Sequence, residues 1–160
     1  MFTRHIILAA LLGVSAGATQ AEVVSPSAVV ANEYGEIAQS LTGIAGDPAR
    51  GQEVMTTRGL GNCIACHEVT ALQDYPFHGE VGPSLDGVGA RWDEAGLRGI
   101  VVNAKAMFPE SVMPSFYKID GYIRPGDAYT GKAAEGALDP LLAAQDIEDV
   151  VAYLLTLTEY

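Results

Sequence analysis

The sequence predicts an all-α fold, helices and glycine-rich loops in one domain, and three observations carry that expectation. Ile147, Val150, Val151, Leu154 and Leu155 recur at i, i+3, i+4, i+7 and i+8, the stripe of a helix that buries one side. Leu97, Ile100, Val101 and Ala104 repeat at helical spacing within residues 93–106. No alternation of apolar and polar residues of comparable strength marks a strand anywhere in the 160 residues, a length that suits one domain with a modest core.

In chain order, the opening "MFTRHIILAALLGVSAGATQA" places Arg4 ahead of an apolar run from Ile6 to Val14, with small residues after it. That is the pattern of a secretory signal peptide over residues 1–21, cleaved after Ala18 or Ala21. The run is too short to span a bilayer and no later stretch is apolar for long enough. The mature protein is therefore expected outside the cytoplasm, without membrane insertion. The full chain's formal charge is −11, or −11 − 1 = −12 once Arg4 leaves with the signal, which repels nucleic acid and anionic membranes and favours basic partners. Residues 22–46 lack sustained periodicity and close in turn signals, as an extension draped over the domain would. Asp47 then caps a helix with Pro48 at its first position, and Gly51, Val54 and Met55 share one face before Gly59 and Gly61 end it.

The segment "GNCIACHEVT", residues 61–70, holds both cysteines of the chain. A C-x-x-C-H spacing fits covalent attachment of one c-type haem. Cys63 and Cys66 reach the two vinyl groups on one porphyrin edge, and His67 rises to the iron. A thioredoxin-like dithiol is expected near a strand-helix-strand pattern, and none precedes it. A structural zinc site wants four ligands, yet the remaining histidines are His5, in the signal, and His78. A plain disulfide stays possible but leaves the histidine without a reason.

For the sixth iron position, Met113 stands 46 residues after His67 and is followed by Pro114, which favours an extended backbone at residue 113 and lets a loop carry the sulfur inward. Met107 and His78 are the alternatives, with core packing and a surface loop as their ordinary roles. Met55 reads as core. The stretch "GEVGPSLDGVGARW", residues 79–92, has four glycines and one proline, a tight loop whose backbone passes close to a flat ligand. Arg91 or Trp92 is placed to bond a haem propionate, with an exposed arginine and a packed tryptophan as equal alternatives. The helix over 93–106 ends near Lys105, as its dipole prefers. Residues 117–137 read as a surface loop. In the final helix Asp139 and Pro140 supply cap and first turn, while Asp146, Glu148 and Asp149 face outward.

With signal, Cys63-Ile64-Ala65-Cys66-His67, Gly82-Pro83-Ser84-Leu85, Met113-Pro114 and a C-terminal amphipathic helix in that order, the chain resembles class I cytochromes c over about residues 47–160. It more closely resembles the SoxX family, the monohaem subunits of SoxAX sulfur-oxidation cytochrome complexes. That likeness rests on "GPSLDGVGARW", "MPSFYKIDG" and "QDIEDVVAYLLTL", with the extension and the long loop. A gap between the first helix and Cys63 wider than in small cytochromes is the one departure.

The resemblance implies His67 and Met113 as axial ligands. It also implies a first helix crossing the last, so that Gly51 and Met55 meet Val150, Tyr153 or Leu154. It further implies a periplasmic heterodimer with a SoxA-like cytochrome subunit. Together they act as an L-cysteine S-thiosulfotransferase that oxidatively joins thiosulfate to a cysteine of a SoxYZ-like carrier protein. This chain then relays the electrons to a downstream electron acceptor. With both thiols committed to haem and no paired acid and base, no catalytic residue is assigned. A free-standing soluble shuttle is the alternative, and a haem sensor with an open sixth site is a third class.

Overall fold

The computed structural model describes residues 22–123 and 132–159. Residues 1–21, where a signal peptide is expected, and residues 124–131 of the long loop lie outside the described residues. Four helices, α1 (Pro48–Thr56), α2 (Val88–Arg91), α3 (Glu94–Asn103) and α4 (Ala144–Thr156), are joined by loops carrying single 3-10 turns, and no strand occurs among the described residues.

Asp47 caps α1 by accepting from the Ala49 amide at 2.9 Å, with Pro48 as its first residue. The helix crosses α4 so closely that glycine is the side chain the crossing tolerates. A Cβ on Gly51 would fall 2.0 Å from the Asp149 carbonyl oxygen and 2.9 Å from the Tyr153 Cβ. Gly51→Ala must therefore push the two helices apart. We expect a loss of about 1–3 kcal/mol, the usual cost of overpacking, read as a lower urea midpoint of the haem-loaded protein. An unchanged midpoint would show that the helices do not touch here.

The Asp93 side chain caps α3 on the Gly96 amide at 2.9 Å, and the last turn of the run tightens into the 3-10 turn Ala104–Ala106. The start of α4 differs from expectation. Asp139 and Pro140 do not cap it; the helix begins at Ala144 after Ala143, with no side-chain cap. Leu142 explains the delay, because its side chain is buried and its amide donates to the Phe116 carbonyl at 3.0 Å. That pairing, local to the tertiary fold, outweighs a cap signal in the sequence.

Glu148 and Asp149 also depart from expectation: both are buried, not outward, and Asp146 is half-buried against Arg50 at 3.0 Å. The reason is Arg98, buried on α3. Its Nε and Nη2 donate to the two Glu148 carboxylate oxygens, each at 2.9 Å, and its Nη1 donates to the Ile37 carbonyl at 2.9 Å. Nη2 also meets Glu94 at the protein surface. Burial by itself would lower the Arg98 pKa, but the hydrogen bonds and charge of Glu148, seconded by Glu94, outweigh it and hold the guanidinium above its usual value.

The same carboxylates anchor the N-terminal extension. Glu148 Oε1 accepts from the Leu41 amide at 2.7 Å, and Asp149 Oδ1 accepts from the Asp47 amide at 2.8 Å. Ile37 and Leu41 are core residues. The Val24 amide donates to the Leu41 carbonyl at 2.8 Å, and the Tyr117 hydroxyl donates to the Val24 carbonyl at 2.8 Å. The extension is built into the core instead of lying over it.

Candidate haem site

The cysteine motif forms one turn. Asn62 enters it in the left-handed region (φ 47°), which asparagine tolerates, and donates its amide to the Val54 carbonyl at 3.2 Å. The amides of Cys66 and His67 both turn back onto the Cys63 carbonyl, at 3.1 and 3.0 Å. Cys63 is half-buried against the core, Cys66 is exposed, and no disulfide joins them. Burial pushes the free Cys63 thiol up to about 12, a backbone hydrogen bond opposes this, and the neighbouring Cys66 adds to the rise. Cys63 thus faces the interior as a neutral sulfur.

His67 is aimed by the "GPSL" segment. Its Nδ1 lies 2.7 Å from the Pro83 carbonyl oxygen, which only accepts, so the proton sits on Nδ1 and the Nε2 lone pair is left for a metal. Gly82 lies flat against the ring, its amide donating to the Cys66 carbonyl at 2.8 Å. A Cβ on Gly82 would fall 2.3 Å from the His67 Cε1. Gly82→Ala should therefore swing the imidazole off its Pro83 partner, and it is checked by the yield of protein with covalently attached haem and by its low-spin spectrum. A normal yield with an unchanged spectrum would clear Gly82 of that role.

Around this segment the loop is closed by side chains. Asp86 accepts from the Thr70 hydroxyl at 2.6 Å and the Thr70 amide at 2.9 Å, and these bonds outweigh burial to hold its carboxyl below the usual range. Arg91 donates to the Asp86 carbonyl at 2.7 Å and the Ser84 carbonyl at 3.3 Å. Trp92 packs edge-on against Phe108, ring centres 6.2 Å apart. Arg91 thus closes its own loop, and Trp92 is packed against an aromatic neighbour.

Met113 arrives on a loop clamped to the end of α3. Its amide donates to the Ser111 hydroxyl at 3.2 Å, and Lys105 reaches over to the carbonyls of Ser111 and Met113. Ser115 donates to Asn103 at 2.7 Å, and the Tyr117 amide donates to the Val102 carbonyl at 3.2 Å. Lys105 thus serves the methionine loop, beyond any service to the helix dipole.

Cys63, His67 and Met113 line one cavity, with Met55, Leu85, Val88, Leu97, Phe116, Leu142 and Leu154 among its walls. His67 is the single polar lining residue. An apolar slot with one imidazole and one loop methionine suits a flat hydrophobic macrocycle with an iron at its centre. Met107 and His78 are not among the residues that line it. Met107 fills the space between Gly35 and Gly99. His78 accepts from the Val69 amide at Nδ1 (3.3 Å) and faces the Leu72 carbonyl with Nε2 (3.0 Å), so both ring nitrogens are engaged within its loop. Sequence reasoning missed Phe116 and Leu142 as walls and the Pro83 carbonyl as the partner of His67; only the apolar character of the first two was visible.

A helical domain of this order, with such a slot, defines a c-type cytochrome. Residues 48–158 match the family model "Cytochrome c", and the chain belongs to that family, whose cofactor is covalently bound haem c. The structure is similar to a chain in the crystal structure of SoxXA from P. pantotrophus, with a TM-score of 0.80 and 55% sequence identity, covering 84% of this chain and 98% of that one. The protein is therefore a SoxX-like class I cytochrome, as its motifs implied. No curated protein sequence matches the chain. Among the described residues no helix is long and apolar enough to cross a membrane.

Proposed function

We propose that this chain is the electron-accepting monohaem subunit of a periplasmic two-protein complex that oxidatively joins thiosulfate to a cysteine of a SoxYZ-like carrier. Its partner is a SoxA-like cytochrome, and residues 1–21 are its secretory signal. The observation that carries the reading is the 55% identity along 98% of a chain of SoxXA. In this reading Cys63 and Cys66 would hold the haem by thioether bonds, and His67 and Met113 would bind its iron. Haem held in this way would supply one-electron chemistry, and methionine ligation would raise its potential towards an acceptor's role.

The chain's own residues supply the rest. Pro83 fixes the proton on His67 Nδ1, which leaves Nε2 a neutral base that would bind the iron. The clamped loop delivers Met113, and the apolar walls exclude water, which keeps the site closed to other ligands. Joining thiosulfate to a thiol releases two electrons and one proton, so a one-electron subunit relays them singly. Among the described residues, neither the two thiols nor the buried carboxylates are free for the bond-making step. Both thiols are committed, and Glu148 and Asp149 are taken up by Arg98 and backbone amides. That step belongs to the partner.

Native purification from the source periplasm, with mass spectrometry of what travels with the chain, tests the reading. A stable heterodimer with a second cytochrome, active on thiosulfate, is expected. A lone monohaem monomer exchanging electrons rapidly with a respiratory complex would replace it with a shuttle.

A further inference from the structure

Among the described residues, the most exposed aromatic side chain is also held in a strained backbone. Phe77 is 90% exposed and has φ +69°, a conformation costly for a bulky residue and found where the surroundings enforce it. They do so here from both sides. His78 is bridged between Val69 and Leu72 by its two ring nitrogens. Gly79 donates its amide to the Ile64 carbonyl at 2.8 Å and lies so close that a Cβ would fall 2.0 Å from the Ala65 carbonyl oxygen. Gln52 steadies the neighbouring Tyr75 hydroxyl at 3.3 Å. Folding free energy is thus spent on holding a phenyl ring rigidly in water, which serves no purpose in a chain that remains alone.

The surroundings of the ring indicate what covers it. Val81 is 69% exposed and Tyr75 is partly exposed on the same loop. Through Gly79 and Gly82 that loop is fastened to Ile64 and Cys66, so the apolar patch borders the exposed Cys66 edge of the haem site. Asp74 and Glu80, on the loop, and Glu68, beside it in the chain, are exposed carboxylates, on a protein whose formal charge is −11. Electron tunnelling falls steeply with distance, so a partner exchanging electrons with this haem must sit against such an edge.

We propose that Phe77, with Val81 and Tyr75 beside it, is the preorganised anchor by which this chain docks on its cytochrome partner. The complementary surface is an apolar pocket rimmed by lysine or arginine. The inference rests on the reading of the chain as a subunit of a two-protein complex, the kind of assembly in which its structural relative was solved. A rigid aromatic ring loses little entropy on binding, and acidic groups around it steer a basic partner into place.

The test titrates the haem-loaded chain into the separately purified partner cytochrome by calorimetry. The chains compared are wild type, Phe77→Ser, Phe77→Gly and Val30→Ser, the last altering an exposed residue of the N-terminal extension. Both Phe77 variants are expected to bind roughly thirtyfold more weakly, as loss of a central aromatic anchor does, with Val30→Ser unchanged and wild-type affinity falling as salt rises. Phe77→Gly should also unfold at a higher temperature than wild type, because glycine relieves the strain, which separates lost docking from damage to the fold. Wild-type affinity in both Phe77 variants would overturn the inference, as would a homodimer of this chain that Phe77→Ser dissolves. Salt-independent binding would overturn the basic rim. Failure of wild type itself to bind would overturn the subunit reading, and this inference with it.

Discussion

Replacing Met113 by alanine is expected to abolish the weak near-infrared charge-transfer band of methionine-iron ligation in the oxidised, haem-loaded protein. The reduced variant should bind carbon monoxide without denaturant, and its potential should fall on the order of a hundred millivolts, well inside the span of roughly 0.8 V that axial ligation covers. The reasoning is local. Met113 sits at the tip of a loop that Lys105, Ser111 and Ser115 tie to the end of α3, and it faces the cavity that also holds His67. Alanine removes the sulfur and leaves those ties in place, so the site should open without unfolding. Retention of the band in the variant would sink the assignment of Met113 and require Met107 or His78 to leave its present partners.

Glu148→Ala is expected to cost about 3–5 kcal/mol, the effect of stranding a buried charge. Arg98 stays protonated without Glu148, since a guanidinium does not lose its proton in a protein, and the Leu41 amide loses its acceptor at the same time. The loss should appear as a large drop in the urea midpoint and as protease cleavage within residues 22–46, which the pair holds down. Glu94→Ala is the contrast, because that carboxylate is 60% exposed and its ion pair with Arg98 is largely solvated. It should cost about 1 kcal/mol or less. Similar losses in the two variants would mean that the Arg98–Glu148 pair carries no special burden. Arg98→Met combined with Glu148→Leu should recover only part of the loss, because the Ile37 carbonyl and the Leu41 amide remain without their partners.

Much of the site was legible because its chemistry is local in sequence. One helical turn holds Cys63, Cys66 and His67, and Asp47 caps its helix through contacts two residues away. The α1–α4 crossing followed from family resemblance, and the spacing of Gly51 from Asp149 bears it out. The misreadings share one cause. Glu148 and Asp149 looked solvated because a charge in an amphipathic helix is ordinarily outward, and their partners lie far away in the chain, at Arg98, Leu41 and Asp47. Asp139 and Pro140 form a sound cap signal, overridden by the pull of Leu142 into the core beside Phe116.

The helical class, the haem motif and the helix stripes are written locally in the chain, since each depends on residues within a few positions of one another. Only the tertiary structure decided which carboxylates are buried, where α4 begins, how His67 is aimed, and that the extension belongs to the core. Each of these is settled by pairing across long stretches of chain, where burying a polar group is tolerable only once its distant partner has arrived.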